Sequence, residues 1–499
     1  MNRFPAPYLA SASQTGRFGV SKRYYFASRE KPENTPHLEK PMATEPFSVE
    51  QFEDKGLSHF SYAVLSQGQV ALIDPARDPQ PYYGFAEAHN ARIVAVIETH
   101  PHADFVSSHL EIHRKTGAVI YASQHLGADY PHQTFDEGQA LTLGTVTLRA
   151  LNTPGHSPDS LSVVLQHQGR DRMVFTGDTL FIGDVGRPDL RETVGNQTAK
   201  REDLARQMYR STRDKLMQLA GDVVVFPAHG AGTLCGKALK AASQSTIGAE
   251  KAGNPALQPM DEDAFVRFLT ADQPFVPRYF GYNVMLNKKG AAGFADSLAK
   301  VPRLPAVKTV WDTDGLDRAI TVVDTRPQET YKRGHLANSI NLMDGGKFET
   351  WLGSILAPEE KFYLVAGNEE TLRQVMAKTA KIGYETNIAA AFVLEGHAEL
   401  RDAPLDLDKF KADPDGFTIV DIRNDSEVRE GKVFENALAI QLSDLRENAH
   451  RIPTGKPVVV HCAGGYRSAA GSSLLGNLLP MQVYDLGEAI AGFKPVETH

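Results

Sequence analysis

Short apolar runs separated by polar turns fill the chain from about residue 47 onward. The segments 68–74, 91–100, 118–123, 144–153, 159–166 and 171–178 are rich in Val, Ile, Leu and Thr, which predicts strands. A helix is predicted over roughly 199–219, with apolar positions at Leu204, Met208, Leu216 and Leu219, and it leads into another strand at 222–230. Several strands end in His, Gly or Asp, so ligand-type side chains collect at one rim of a sheet sandwich. Residues 250–300 are richer in Pro and Gly and predict a linker that wraps back on the first domain.

Further along, the pattern repeats. Ile320-Thr-Val-Val-Asp-Thr-Arg326 returns as Phe417-Thr-Ile-Val-Asp-Ile-Arg423, 97 residues later. Each copy continues to a second apolar strand, at 362–367 and 457–465, then a helical segment and a strand closed by Gly396 or Gly487. Two α/β units follow, 303–402 and 405–499.

A chain of 499 residues has room for two to four domains, and 41% apolar with 23% charged residues suits packed soluble cores. No apolar run reaches the length of a membrane helix, so no membrane association is expected. The net charge of −8 argues against nucleic acid as the main partner. With only Cys235 and Cys462, a disulfide framework is not expected, a reducing compartment fits, and the cytoplasm is the expected location. Residues 1–46 differ from the rest. Arg3, Arg17, Lys22, Arg23 and Arg29 precede the first acid, Glu30, a composition that resembles an organellar transit peptide over 1–41. The expected reading is a disordered extension, or an over-long start with Met42 as initiator.

The candidate chemistry begins at Glu98-Thr-His-Pro-His-Ala-Asp-Phe105, where His100, His102 and Asp104 follow a strand. His156 lies in Thr-Pro-Gly-His-Ser, Asp178 in Phe-Thr-Gly-Asp-Thr and His229 in Pro-Ala-His-Gly, all at strand ends. This ordered set resembles the metallo-β-lactamase superfamily, which implies an αββα sandwich with metal at the strand ends. Binuclear zinc hydrolases of the glyoxalase II type carry a His where this chain has Phe105, and an apolar ring cannot be a ligand. Two imidazoles and a carboxylate with open positions suit ferrous iron and O₂.

The segment Thr176-Gly-Asp-Thr-Leu-Phe-Ile-Gly-Asp-Val-Gly-Arg-Pro-Asp-Leu190 resembles the persulfide dioxygenase family. That resemblance implies one Fe(2+) per chain on His100, His156 and Asp178, with zinc as the alternative. It places His102, Asp104 and His229 around the ligands. Arg187 either grips the substrate's carboxylate or phosphate, or forms an ion pair with Asp184 or Asp189. The stretch 227–236 resembles bacterial members fused to rhodanese domains, and Cys235 within it is either a small buried apolar residue or a relay thiol near the iron.

The second thiol has a more specific setting. His461-Cys-Ala-Gly-Gly-Tyr-Arg-Ser468 runs from an apolar strand into a helix, so Cys462 faces backbone N–H groups and the positive helix end. Gly464 and Gly465 let the backbone curl, Arg467 adds charge, and Ser468 completes the loop. It resembles the rhodanese sulfurtransferase loop, with Cys462 as persulfide carrier and Asp421 and Arg423 in the family's strand. Cysteine phosphatases place Arg six residues after Cys; here the gap is five. The first repeat has neither Cys nor Arg at the matching place and resembles an inactive rhodanese homology domain.

The expected architecture is therefore α/β and multidomain. A metallo-β-lactamase-fold domain with linker spans 47–300, and two rhodanese-like α/β domains span 303–402 (inactive) and 405–499. The resemblance implies oxidation of a glutathione, coenzyme A or similar persulfide with O₂ to sulfite, and transfer of a sulfane sulfur to give thiosulfate, as a route for sulfide detoxification by a homo-oligomer. The alternative is a zinc-dependent thioesterase of the glyoxalase II type with a rhodanese tail.

Overall fold

Val163 and Leu165 leave their strand on one side and Val164 on the other, and all three are fully buried. Side chains alternate across a strand, so this one is covered on both faces. The reason is visible in the computed structural model of the chain, which describes residues 21–25, 47–190, 200–396 and 399–494.

Two compact units emerge, one of residues 1–273 with 283–294 and one of 274–282 with 295–499. In the first, two sheets pack face to face. One has seven strands, in the order Ser21–Tyr25, Ser48–Asp54, His59–Ser66, Gln69–Ile73, Arg92–Ile97, Val119–Ala122 and Gln133–Thr134. The other has six, in the order Ser245–Thr246, Val224–Pro227, Arg170–Gly177, Leu161–His167, Val146–Asn152 and Ala140–Leu143. Tyr62, Val64, Ile73 and Ile97 meet Leu148, Val163, Phe175 and Phe226 in the core between them. Each such side chain contributes about 1.5–3 kcal/mol by leaving water.

Helices cover both outer faces. Gln80–Ala88 and His109–Thr116 bury Tyr82, Phe85 and Ile112 on the first sheet. Arg201–Arg210 and Glu262–Thr270 bury Met208, Phe265 and Leu269 on the second. The result is the expected αββα sandwich. Leu204, Met208, Leu216 and Leu219 are all buried, but the predicted helix is regular only to Arg210 and continues through a wider and then a tighter turn to Gln218.

Two expectations are corrected here. Ser21–Tyr25, read as part of a disordered extension, pairs antiparallel with Ser48–Asp54; the rest of 1–46 lies outside the described residues. Residues 283–294 do belong with the first domain, as the wrapping linker predicted, but 274–282 and 295–300 cluster with the second unit. The two C-terminal repeats keep separate sheets, as expected of two domains, and cluster together as one compact unit.

Those two sheets have the same construction. Four parallel strands run in the order Ser339–Asn341, Thr321–Asp324, Phe362–Ala366, Ile388–Val393, and again in the order Leu438–Ala439, Thr418–Asp421, Val458–His461, Val483–Asp485. The repeated Asp-x-Arg has one structural task in both copies. Arg326 forks onto Asp324 and donates to Gly334 O, while Arg423 forks onto Asp421 and donates to Gly431 O. Each guanidinium thereby ties its strand end to the close of the following short helix. Among the described residues no helix is long and apolar enough to cross a membrane.

Candidate metal centre and cysteine loop

Arg92–Ile97 runs parallel to Gln69–Ile73, and Arg170–Gly177 parallel to Val224–Pro227. Parallel neighbours end at the same rim, so Asp74, His100, Asp178 and His229 all leave their strands there. Gly177 makes the approach feasible. Its φ is +51°, and a β-carbon would stand 2.6 Å from Thr99 Oγ1.

His100, His156 and Asp178 converge, with one donor atom from each lying within 4.8 Å of the others. Asp178 Oδ2 lies 3.4 Å from His156 Nε2 and 3.7 Å from His100 Nε2. His100 Nε2 and Asp178 Oδ2 are buried without a hydrogen-bond partner. Buried polar atoms are ordinarily paired, and a cation at the meeting point would satisfy these, so the residues fit a metal ion.

The second nitrogens fix which lone pairs face the centre. His156 Nδ1 is 2.9 Å from the carbonyl of Arg187, which can only accept, so the proton sits on Nδ1. Thr99 Oγ1 donates to Asp74 at 2.8 Å and accepts from His100 Nδ1 at 3.1 Å, with the same consequence. Burial pushes the His156 imidazole down and the His100 imidazole well down, so both are neutral bases with Nε2 open to a metal.

Asp74 was not singled out from sequence, although it ends a strand at the same rim. It also accepts from Thr99 N–H at 2.7 Å and lies 3.2 Å from His102 Nε2. Its φ is +49°, a conformation that Asn tolerates. Asp74→Asn keeps the backbone and weakens the acceptor, and metal affinity should fall about 10–100-fold, the usual cost of losing a supporting partner. A chelator-competition titration on the folded variant checks this; wild-type affinity would remove Asp74 from the account.

His102, Asp104 and His229 also fall within 4.8 Å of one another, as do Asp178, His229 and Cys235. By the same test the first of these trios also fits a cation, since His102 Nδ1 and Nε2 and Asp104 Oδ1 are buried without a hydrogen-bond partner, while its His229 also reaches two carboxylates. His229 places Nδ1 2.7 Å from Asp178 and Nε2 2.7 Å from Asp104. Burial disfavours its cation, yet the two carboxylates hold its imidazole well above the usual range. In turn burial opposes ionisation of Asp178, but the adjacent His229 holds that carboxyl well below its usual value. Phe105 packs between His59 and His102, at ring distances of 3.9 and 4.4 Å. Asn287 pins this loop by donating to His102 O and Phe105 O and accepting from Ser107 N–H, each at 2.8 Å. No local signal in the sequence marks Asn287, because its partners lie some 180 positions away.

Arg187 takes the structural of its two expected roles. Its fork is bound to Asp189 at 2.7 Å twice, its third arm reaches Leu234 O at 3.1 Å, and it is 1% exposed. The guanidinium therefore does not stand ready for a substrate carboxylate, and its link to the site is the carbonyl that orients His156. Its N–H also donates to Cys235 O at 2.9 Å, which fastens the Cys235 loop to the ligand loop. Cys235 is buried beside Asp178 and His229, and burial pushes its thiol well up, so at rest it is protonated. The protonated state makes it a weak nucleophile.

In the second unit, Cys462 sits where Val458–His461 turns into the helix Tyr466–Leu478. Its Sγ accepts from Gly465 N–H at 3.1 Å, and Gly465 has a φ of +95°. Cys462, Gly464 and Arg467 line one pocket. Gly465 and Ser468, expected to touch substrate, act from behind. Gly465 supplies the N–H, and Ser468, fully buried, donates to Gly465 O at 3.0 Å and braces the turn. Arg467 forks onto Glu427 at 2.5 and 2.7 Å. In the first repeat only Gly367 and Asn368 separate strand from helix, and Asn368 caps that helix by accepting from Thr371 N–H. The shortened loop leaves no place for a thiol cradle.

Comparison with known proteins agrees with this architecture. Residues 54–229 match the metallo-beta-lactamase superfamily, and 310–398 and 404–495 each match the rhodanese-like domain. The solved structure of a metallo-beta-lactamase from Staphylococcus aureus subsp. aureus COL is 30% identical, with a TM-score of 0.61, over 70% of this chain and 99% of that one. A hydroxyacylglutathione hydrolase of Anaeromyxobacter dehalogenans is 34% identical over 26% of this chain, and the mitochondrial persulfide dioxygenase of Homo sapiens 25% over 32%. The chain spans 49% and 59% of the lengths of these two relatives. The chain belongs to the metallo-β-lactamase superfamily and carries two rhodanese-like domains behind that fold.

Proposed function

We propose that the chain is an iron-dependent persulfide dioxygenase coupled to sulfur transfer. The observation that carries this reading is the ligand geometry: two neutral imidazoles and one carboxylate converge, and beside the neighbouring His102 the apolar ring of Phe105 offers no donor. A single ferrous ion with open positions supplies the O₂ chemistry that no side chain here can. The protein's own part is to hold His100 and His156 in the Nδ1–H tautomer, and to keep Asp178 ionised through His229.

The first reaction is RSSH + O₂ + H₂O → RSH + SO₃²⁻ + 2 H⁺, where R is glutathione, coenzyme A or a similar carrier. In the second, the Cys462 thiolate takes the sulfane sulfur of another persulfide, RSSH + CysS⁻ → RSH + CysSS⁻. Sulfite then attacks the terminal sulfur, CysSS⁻ + SO₃²⁻ → CysS⁻ + S₂O₃²⁻. The Gly465 N–H and the helix Tyr466–Leu478 stabilise the anionic sulfur in both forms.

Oxygen uptake with glutathione and coenzyme A persulfides, alongside metal analysis, tests the reading. About one iron per chain and one O₂ per persulfide are expected. Two zinc ions per chain, no O₂ uptake and hydrolysis of a glutathione thioester would establish the glyoxalase II type instead.

A further inference from the structure

The Cys462 pocket has an anion of its own at its edge. About 410 Å³ in volume, the pocket is lined by Gly464, Tyr466 and Arg467 and, from the first repeat, by Gly346, Lys347 and Trp351. Tyr466 Oη joins the two sides by donating to Met343 O at 2.9 Å. The fork of Arg467 takes both oxygens of Glu427, at 2.5 and 2.7 Å. Such a fork fits any group that presents two oxygens along one edge, a sulfonate as well as a carboxylate.

The two partners are held unequally. The Arg467 side chain is 14% exposed and that of Glu427 31%. Glu427 lies on the short helix Asp425–Glu430, whose backbone Arg423 ties down through Glu427 O at 3.3 Å and Gly431 O at 2.9 Å. Glu427 Oε2 also accepts from Asn424 N–H at 3.0 Å. The carboxylate can therefore turn toward water while its backbone stays in place, and it can return. Arg467, the deeper of the two, stays over the pocket. A sulfur oxyanion that reaches Cys462 must take the fork from Glu427 or do without it, because two anions on one guanidinium repel each other.

We infer that Glu427 is an internal mimic of the anionic substrate, which occupies Arg467 at rest and gives way to the sulfonate end of thiosulfate or to sulfite. This rests on reading Cys462 as a sulfurtransferase nucleophile. With thiosulfate as donor, the Cys462 thiolate attacks the outer sulfur, the S–S bond breaks and sulfite leaves with the bonding pair: CysS⁻ + S₂O₃²⁻ → CysSS⁻ + SO₃²⁻. Arg467 grips the oxygen-bearing end in both directions and transfers no proton. Glu427 sets how much affinity that grip yields, so the site favours dianions that can compete for the fork over uncharged thiols.

The test uses the full chain, thiosulfate as donor and cyanide as acceptor, with Cys462 persulfide read by mass spectrometry. Glu427→Gln keeps an acceptor for Asn424 N–H and removes the charge. Its KM for thiosulfate should fall about tenfold, the low end for a charge-assisted hydrogen bond, with kcat within about twofold. A residue that merely braced Arg467 would raise the KM instead, so the sign decides. In an Arg467→Ala background the same substitution should change the KM by less than about twofold, because no fork is left to compete for. Where Arg467→Ala turns over too slowly, calorimetric titration of thiosulfate into the Cys462→Ser forms gives the same comparison. A raised or unchanged KM in a folded Glu427→Gln, or a fall that persists without Arg467, overturns the inference while Cys462 stays a sulfurtransferase. Wild-type protein that neither transfers sulfur nor gains the persulfide overturns the underlying reading, and the inference with it.

Discussion

His156→Ala will cost the first centre its metal and its oxygen uptake together. The imidazole supplies one of three converging donors, and the site is buried enough that water replaces it poorly. Losing a partner that merely supports a ligand costs about 10–100-fold in affinity, so losing the ligand should exceed about a hundredfold. Asp178→Ala should be at least as severe, because it also leaves His229 facing Asp104 alone. Metal content and O₂ consumption are the readouts, and sulfur transfer from thiosulfate by Cys462 is the internal control. A His156→Ala protein that keeps its metal and its uptake would mean that the converging trio is not the centre.

Cys462→Ser will separate the two chemistries. A serine hydroxyl lacks the nucleophilicity of a thiolate and cannot store a sulfane sulfur, so sulfur transfer should fall by about a thousandfold or more. Oxygen uptake with persulfide should continue, and sulfite should accumulate where the wild type gives thiosulfate. Analysis of sulfite and thiosulfate by derivatisation decides the matter. Undiminished thiosulfate from Cys462→Ser would assign the transfer to another thiol, with Cys235 the remaining choice. That thiol is protonated at rest and buried beside Asp178, so such an outcome would require the first centre to activate it.

The two tests touch the residues that were most legible in the chain. His100, His156 and Asp178 each stand at a strand end, and strand ends show directly in the run of apolar residues. Parallel pairing carries His100 and Asp178 to one rim, and His156 reaches it after a strand that pairs antiparallel with its neighbours, a topology that only the folded sheets show. The cysteine loop is equally local, since Cys462, Gly465 and the following helix lie within a few residues. Arg187 was less legible. A guanidinium two residues from Asp189 reads equally well as ligand or brace until the bidentate contact is seen.

Periodicity and contiguous motifs determined the strands, the doubled α/β unit and the thiol turn, because strand pleat and helix start are written in neighbouring residues, while the αββα sandwich and the three metal donors were implied by family resemblance. Tertiary structure decided what supports them. The Arg187 carbonyl fixes the His156 tautomer, the Thr99 and Asp74 pair fixes that of His100, Asn287 holds the loop, and Lys347 with Trp351 closes the Cys462 pocket. Backbone carbonyls carry no residue signature, and partners some 120 to 180 positions apart meet only when sheets and repeats have packed.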